Sequence, residues 1–393
     1  MKSYPWKGLV SSQYLDPQPN ISLQLPLVME VCDDRNVIGS GAGFSTQCIK
    51  SSVGEYLERR HFSCDVVPKK KSTLEKALGS YRGGEFQYAF SQMKSSQDIC
   101  EKTHEFGLVE AIDIKDFSPC MVPGISISMY GHNFVGDNNF MPLRDTCANS
   151  FHWYAEDAIH GSIREALERQ FLIKFWLTAT CNRKLCHKEA LGEIKNKNAK
   201  QFFELMLRKG YVEVLDITDT SFPGACVIVV FGAPEATIQY CTGMSYDENV
   251  GRAIEKSVLE LWQSYRFLSV YESIFNDISV INDPYQIHFV NSNEFGTFEK
   301  MIDVVELNTA SKDIEMLNSE ELIDLLSGKG ISTYIYVKRT VVGDKHGYFS
   351  KLISPNMFMH MNTSRNINFK NVYSSAFENK IIQERINEMV PFP

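Results

Sequence analysis

The chain has 393 residues, 44% hydrophobic and 22% charged, the balance of a folded globular protein and not of a disordered or fibrous one. Forty Lys and Arg against 48 Asp and Glu give a net charge of −8. With a pI near 5.7 the sign is wrong for general attraction to nucleic acid, which is excluded as an expected partner.

In chain order, the first 30 residues have their apolar stretches broken by Pro5, Asp16, Pro17, Pro19 and Pro26. No signal-peptide core can be drawn there, and a cytoplasmic protein is expected. Gly39-Ser-Gly41-Ala-Gly43 precedes a helical pattern but misses the dinucleotide spacing Gly-x-Gly-x-x-Gly, with Phe44 and Thr46 in the last place. It predicts a tight turn. Helical periodicity predicts helices over 46–62, 155–177, 188–209, 248–273 and 319–326. Strand-like runs cover 211–218, 226–231, 237–242, 333–340 and 348–353. Lys69, Lys70 and Lys71 read as a solvated loop. The longest apolar-rich stretch, 171–180, contains Lys174 and falls far short of the roughly 20 residues that span a bilayer, so no membrane partner is expected. Gly328-Lys329-Gly330 has Gly after the lysine and Ile323 where a phosphate loop needs glycine. Ten cysteines without a Cys-x-x-Cys pair read as reduced thiols, and Cys181, Cys186 and His187 lack the second pair of a zinc site. The mixture of elements is α/β or α+β.

Three segments repeat one pattern: Ile49-x-x-Ser52-Val53-x-Glu55-Tyr56-Leu57-Glu58, Ile159-x-x-Ser162-Ile163-x-Glu165-Ala166-Leu167-Glu168, and Ile254-x-x-Ser257-Val258-x-Glu260-Leu261-Trp262-Gln263. They lie about a hundred residues apart, too far for a solenoid, whose period is roughly 20 to 50. On a helix, residues three apart are neighbours, so each segment places two acidic or amide groups on one face with a small serine a turn earlier. Their neighbours are apolar. Carboxylates beside a core need a compensating cation, and hard oxygen donors suit Mg²⁺. Arg59, Arg60, Arg169 and Gln170 follow two of the pairs; cations beside metal-binding carboxylates point to a polyphosphate. A di-iron bundle needs Glu-x-x-His on two helices, a spacing met by Glu58 with His61 and Glu101 with His104. The second and third segments carry Glu168 and Gln263 instead.

The segments from Ser51 to Arg59, from Asp157 to Arg169 and at Glu260-x-x-Gln263 resemble the ATP-binding signature of the YcaO family. Asp145-Thr-Cys147-x-x-Ser150-Phe-His152, Glu260-Leu-Trp262-Gln263-Ser-Tyr265 and the ending Met389-Val-Pro391-Phe-Pro393 resemble the stand-alone subunit of the microcin-type azole synthetases. The resemblance implies an α+β, YcaO-type fold with three acidic helices on mixed β-sheet, an N-terminal extension over 1–38 and a YcaO domain over 39–393. It implies ATP and Mg²⁺ as cofactors, with Glu55, Glu58, Glu165, Glu168 and Glu260 as metal ligands. Ser150, Asp157, Arg169, Gln263, Arg339 and Lys351 are implied on the nucleotide, Arg169 also in catalysis, and the proline-rich tail ending at Pro393 in the active site. Relatives carry Lys where this chain has Ala42, and Arg soon after the third-helix Gln, where it has Tyr265 and then Arg266.

The implied reaction is ATP-dependent cyclodehydration of Cys, Ser or Thr in a ribosomally made precursor peptide to thiazoline or oxazoline. The implied partners are that peptide, a ubiquitin-activating-like leader-binding subunit and an FMN-dependent azoline dehydrogenase. Thioamide or amidine formation uses the same ATP site with another nucleophile. A non-catalytic scaffold would have no reason to keep five such glutamates.

Overall fold

Runs of β-branched and aromatic residues bounded by Gly, Pro and Asn fold here as antiparallel strands, and the amphipathic stretches between them as helices. The structure, a computed structural model, describes residues 13–17, 25–33, 37–281 and 283–392.

In chain order the strands and helices are β1 (Gln13–Pro17), β2 (Leu27–Asp33), β3 (Ile38–Gly43), α1 (Gln47–Arg60), β4 (Lys70–Ser72), α2 (Leu74–Met93), β5 (Phe106–Asp113), β6 (Pro119–Pro123), β7 (Asn149–His152) and α3 (Ala155–Thr178). Then come β8 (Thr180–Cys181), β9 (Arg183–Leu185), α4 (His187–Glu193), α5 (Lys197–Leu207), β10 (Tyr211–Asp216), β11 (Ala225–Gly232), β12 (Tyr240–Asp247) and α6 (Val250–Val270). The last are α7 (Pro284–Asn291), α8 (Phe295–Ile302), β13 (Val305–Glu306), α9 (Ser319–Gly328), β14 (Tyr334–Val342), β15 (Lys345–Ile353), α10 (Val372–Ser375) and α11 (Gln383–Ile386).

These elements form two compact units that alternate along the chain: residues 1–53, 175–317 and 390–393 in the first, 54–174 and 318–389 in the second. The first unit holds a three-stranded sheet β1-β2-β3, a four-stranded antiparallel sheet β12-β11-β10-β9 and the parallel pair β8 and β13. Every residue of β11 and β12 is buried. The second unit holds a sheet of order β4-β5-β14-β15-β7, with β6 paired to β5. Its β14–β15 hairpin runs in register from Tyr334 opposite Ile353 to Val342 opposite Lys345, and the edge strand β7 pairs Ser150 with Ser350 and Asn149 with Lys351. Sheets and helices combine in the α+β class that the sequence predicts. Among the described residues no helix is long and apolar enough to cross a membrane.

Three expectations differ from the structure. Residues 39–43 form part of β3 and not a turn; a Cβ at Gly41 would lie 2.5 Å from the Cys48 carbonyl oxygen and 2.6 Å from the Ser52 nitrogen, so glycine here lets the strand press against α1. The single helix expected over 188–209 is two. Asn196 caps the second by accepting from the backbone N–H of Asn198 and Ala199, and Glu189 closes a capping box on Cys186 at the start of the first. Lys70 and Lys71, read as loop, lie in the short strand β4. Helix α2 carries no prediction at all: Gly79, Gly83 and Gly84 dilute its periodicity, and Gly79 sits at φ 80°, outside helical geometry.

Candidate functional site

The three repeated segments are all helical, on α1, α3 and α6. Residues 52–58, 162–168 and 257–263 share one exposure pattern. A buried serine and a buried Val or Ile come first, then two half-buried positions ending in the first Glu, two buried apolar residues, and a half-buried Glu or Gln. Each Glu–Glu or Glu–Gln pair therefore lies half-buried at the margin of a core.

The recurring serine is explained by how closely each helix meets a strand. Gly41 brings β3 onto Ser52 of α1. On α3, a Cβ at Gly161 would lie 2.4 Å from Ser150 Oγ of β7, and the adjacent Ser162 Oγ lies 3.0 Å from Ser350 Oγ of β15. On α6, a Cβ at Gly243 of β12 would lie 2.2 Å from both the Ser257 carbonyl oxygen and the Leu261 nitrogen. The serine hydroxyls satisfy themselves on backbone carbonyls: Ser52 on Ile49 at 3.0 Å, Ser162 on Ile159 at 2.9 Å, Ser257 on Ala253 at 2.7 Å. Small polar residues at these crossings fix the height of each helix, and with it the carboxylates one turn on.

In the second unit, Glu58, Glu165, Glu168 and Lys351 influence one another electrostatically. Burial, then the neighbouring Glu55 charge, pushes the Glu58 carboxyl up to about 8, against Arg59, Lys351 and a backbone hydrogen bond from Phe151 of the edge strand β7. Burial also drives Glu165 well above the usual carboxylate range, Arg169 opposes it, and Glu58 and Glu168 add to it. Burial lowers Lys351, while Asp145, Cys147, Glu165 and Glu58 favour its charge. Burial and mutual repulsion outweigh Lys351, Arg59 and Arg169 here and push these carboxyls toward their neutral form, from which a bound cation would draw the proton. Arg59 Nη2 lies 2.6 Å from Glu55 Oε1, and Arg169 Nη2 lies 3.8 Å from Glu165 Oε1. In both helices the arginine reaches back one turn to the first acid of its pair.

Glu260 belongs to the first unit. Its Oε2 accepts from the backbone N–H of Met244 at 2.7 Å, on the edge strand β12. Gln263 is half-buried one turn further along α6.

The remaining predicted residues fall in several places. Ser150 faces α3 at the glycine crossing. Asp157 is exposed, with Oδ2 3.0 Å from His152 Nδ1. Arg339 lies exposed on the hairpin with Nη2 against His346, 2.7 Å from Nε2, three register steps along β14 from the partner of Lys351. Gln170 clamps the Phe358 backbone, accepting at 2.9 Å and donating at 3.1 Å. Pro393 lies outside the described residues. Its neighbours are held firmly: Phe392 is 1% exposed, and Tyr240 Oη donates to the Pro391 carbonyl at 2.6 Å. Cys181 and Cys186 are both free thiols, and His187 is spent on the Val212 carbonyl.

Sequence reasoning missed Asn149. It is 2% exposed on β7, directly opposite Lys351 in the ladder, and neither its Nδ2 nor its Oδ1 has a hydrogen-bond partner. Its place beside Ser150 is the only sequence signal it carries.

The donor set fits Mg²⁺ chemically: hard carboxylate oxygens, half-buried and clustered closely enough to raise one another's pKa. Among the described residues no three acidic, His or Cys side chains already stand in coordinating geometry. Arg59, Arg169 and two edge-strand N–H groups hold four of the carboxylates instead.

Residues 40–357 match the family described as YcaO cyclodehydratase, ATP- and Mg²⁺-binding. The chain belongs to the YcaO family, as the acidic segments indicate. It is 30% identical over 386 residues to the microcin B17-processing protein McbD of Escherichia coli, covering 95% of each. Among solved structures it matches the E. coli microcin synthetase McbBCD complex with a TM-score of 0.89 and 29% identity, over 100% of this chain and 99% of that one. The same complex with pro-MccB17 bound gives 0.88 at 29% identity, over 98% of each chain. YcaO from Methanopyrus kandleri, bound with AMPPCP and Mg²⁺, shares the fold at a TM-score of 0.55 and 15% identity, over 87% of this chain and 85% of that one.

Proposed function

We propose that this protein is the cyclodehydratase subunit of an azole-forming synthetase, acting with ATP and Mg²⁺ on Cys, Ser or Thr of a ribosomally made precursor peptide. The full-length likeness to McbD carries the reading, and the shared burial pattern of the acidic segments supports it. The substrate thiol or hydroxyl, losing its proton, adds to the preceding amide carbon and turns the carbonyl into an oxyanion that stays on that carbon. This oxygen attacks the γ-phosphorus and ADP leaves, and loss of phosphate with the amide N–H proton forms the C=N bond of the azoline ring. ATP supplies the leaving group. Such phosphoryl transfer asks a protein for positioning and charge neutralisation. Glu55, Glu58, Glu165 and Glu168 are proposed to hold metal, and Glu260 is proposed as a ligand on the sequence resemblance. Arg169, Lys351, Ser150 and Gln263 are proposed on the nucleotide, with Asp157 and Arg339 as further contacts and Pro393 at the reacting end of the tail.

Residues 39–393 are proposed to work as the YcaO domain after an extension over 1–38, in the cytoplasm. A leader-binding, ubiquitin-activating-like subunit and an FMN-dependent dehydrogenase are the proposed partners. Calorimetry tests the metal reading: ATP should bind with Mg²⁺ and not in EDTA, because the acids repel a bare polyphosphate. Glu165→Gln and Glu260→Gln should each weaken binding at least about tenfold. Equal affinity in EDTA would overturn it.

A further inference from the structure

Asn149 is buried at a cost that nothing within the fold offsets. Its side chain is 2% exposed, and neither Nδ2 nor Oδ1 finds a hydrogen-bond partner among the described residues. A side-chain amide has two donors and two acceptor sites, and burying one that uses none of them is unfavourable enough that folds rarely keep it without a use. The backbone around it is held firmly. The Asn149 N–H donates to the Thr146 carbonyl at 3.1 Å, and Asp145 accepts from the N–H of Cys147 at 3.0 Å and of Met361 at 2.7 Å. Ala148 sits at φ 63°, in the left-handed region that a residue with a Cβ enters only where its surroundings hold it.

This turn delivers the amide to Lys351. The two residues are register partners across β7 and β15, and directly opposed side chains of an antiparallel pair stand on one face, about 5 Å apart at Cβ. Burial lowers the Lys351 pKa, while Asp145, Cys147, Glu165 and Glu58 favour its charge; among the described residues none of these acids makes a direct ion pair with it. Its Nζ lies 5.9 Å from the centroid of the Phe62 ring. An ammonium without a contacting anion and an amide without any partner, side by side on one sheet face, form a pair of donors suited to the oxygens of an anion. A neutral second donor fits the place, since another cation would repel Lys351 in so buried a setting and a carboxylate would pair with it. Glu58 of α1 and Glu165 of α3 sense the same lysine and are the proposed metal ligands. An anion held by Lys351 and Asn149 therefore stands beside the metal, as a polyphosphate does in phosphoryl transfer.

We propose that Asn149 is a further nucleotide-binding residue, its Nδ2 donating to a phosphate oxygen of ATP alongside Lys351. The proposal rests on the ATP reading.

The test is calorimetry of ATP at saturating Mg²⁺ on the full chain, on Asn149→Leu and on Asn149→Asp, with thermal unfolding of the same samples. Asn149→Leu keeps the shape and removes the donor; it should lower ATP affinity about tenfold or more without loss of stability. Asn149→Asp sets a carboxylate against the phosphate and should lower affinity at least as far. ATP bound by Asn149→Leu as tightly as by the wild type would overturn the proposal. So would unfolding of Asn149→Leu at a lower temperature than the wild type, which would show the amide to be satisfied inside the fold. Asn149→Asp binding ATP as tightly as the wild type, or at lower Mg²⁺, would overturn it by making Oδ1 a metal ligand. A wild type that does not bind ATP with Mg²⁺ would remove the enzymatic reading and this contact together, whereas binding by the wild type that neither substitution weakens removes the contact alone.

Discussion

His61 stacks on Phe349 with ring centroids 4.0 Å apart and 2° between planes, and its Nε2 lies 3.0 Å from Tyr336 Oη. Burial, with help from Lys338, lowers its pKa from 6.5 to about 3. The unfolded chain therefore takes a proton below 6.5 that the folded one refuses until about 3. The stability tied to this residue is complete above 6.5 and is lost as pH falls, at about 1.4 kcal/mol per unit. Chemical denaturation at pH 6.5 and 5 should show wild type losing about 2 kcal/mol more than His61→Phe; parallel losses would contradict the assignment. Asn149 offers the opposite trade. Replacing an unsatisfied buried amide by an apolar group of similar shape relieves its desolvation cost, so Asn149→Leu should raise stability by about 1 kcal/mol while lowering ATP-dependent ring formation. A destabilised variant with unchanged turnover would show the residue to be structural. Asn149 was not legible in the sequence because a missing partner is a tertiary fact. The helical placement and shared half-burial of the repeated acids were, because acids recurring on an apolar helical face stand out at the spacing of a single turn.

At the scale of elements, the glycine crossings set the helices that carry the acids. Gly243→Ala places a methyl 2.2 Å from two backbone atoms of α6, which only a shift of the helix can relieve. It should cost about 1–3 kcal/mol in denaturant and, if the proposed role of Glu260 as a ligand holds, raise the Mg²⁺ concentration needed for half-maximal activity, since Glu260 moves with α6. Gly192→Ala, with nothing within 4 Å, should do neither. Equal Mg²⁺ requirements in the two variants would detach the crossing from the site. The crossings also show what the sequence concealed. Gly39 to Gly43 resembles a turn, since glycine's ability to turn and its ability to admit a neighbour look alike in one dimension. Helix α2 vanished behind three glycines for the same reason, whereas α3 and α6, longer and more regular, were legible nearly to their ends. Arg339 stands three residues along β14 from Tyr336, the partner of Lys351, an odd step that puts its side chain on the opposite face of the sheet from that of Lys351, which only the register of the hairpin reveals.

At the scale of the whole molecule, the tail is part of a core. Deleting residues 391–393 removes buried Phe392 and should destabilise the first unit by about 3–5 kcal/mol; Tyr240→Phe, which removes only the hydrogen bond to Pro391, should cost about 1 kcal/mol. Thermal unfolding of both variants checks the ratio, and a deletion without effect would return the tail to solvent. Residues 390–393 complete a unit whose other parts end at residue 317. During synthesis at about 5–20 residues per second, the roughly seventy residues between them take on the order of 4 to 15 s to appear. For that interval the nascent first unit lacks Phe392 and keeps an apolar gap open. The alternating order of the two units thus becomes a matter of timing, a window in which a chaperone competes with aggregation for the unfinished core.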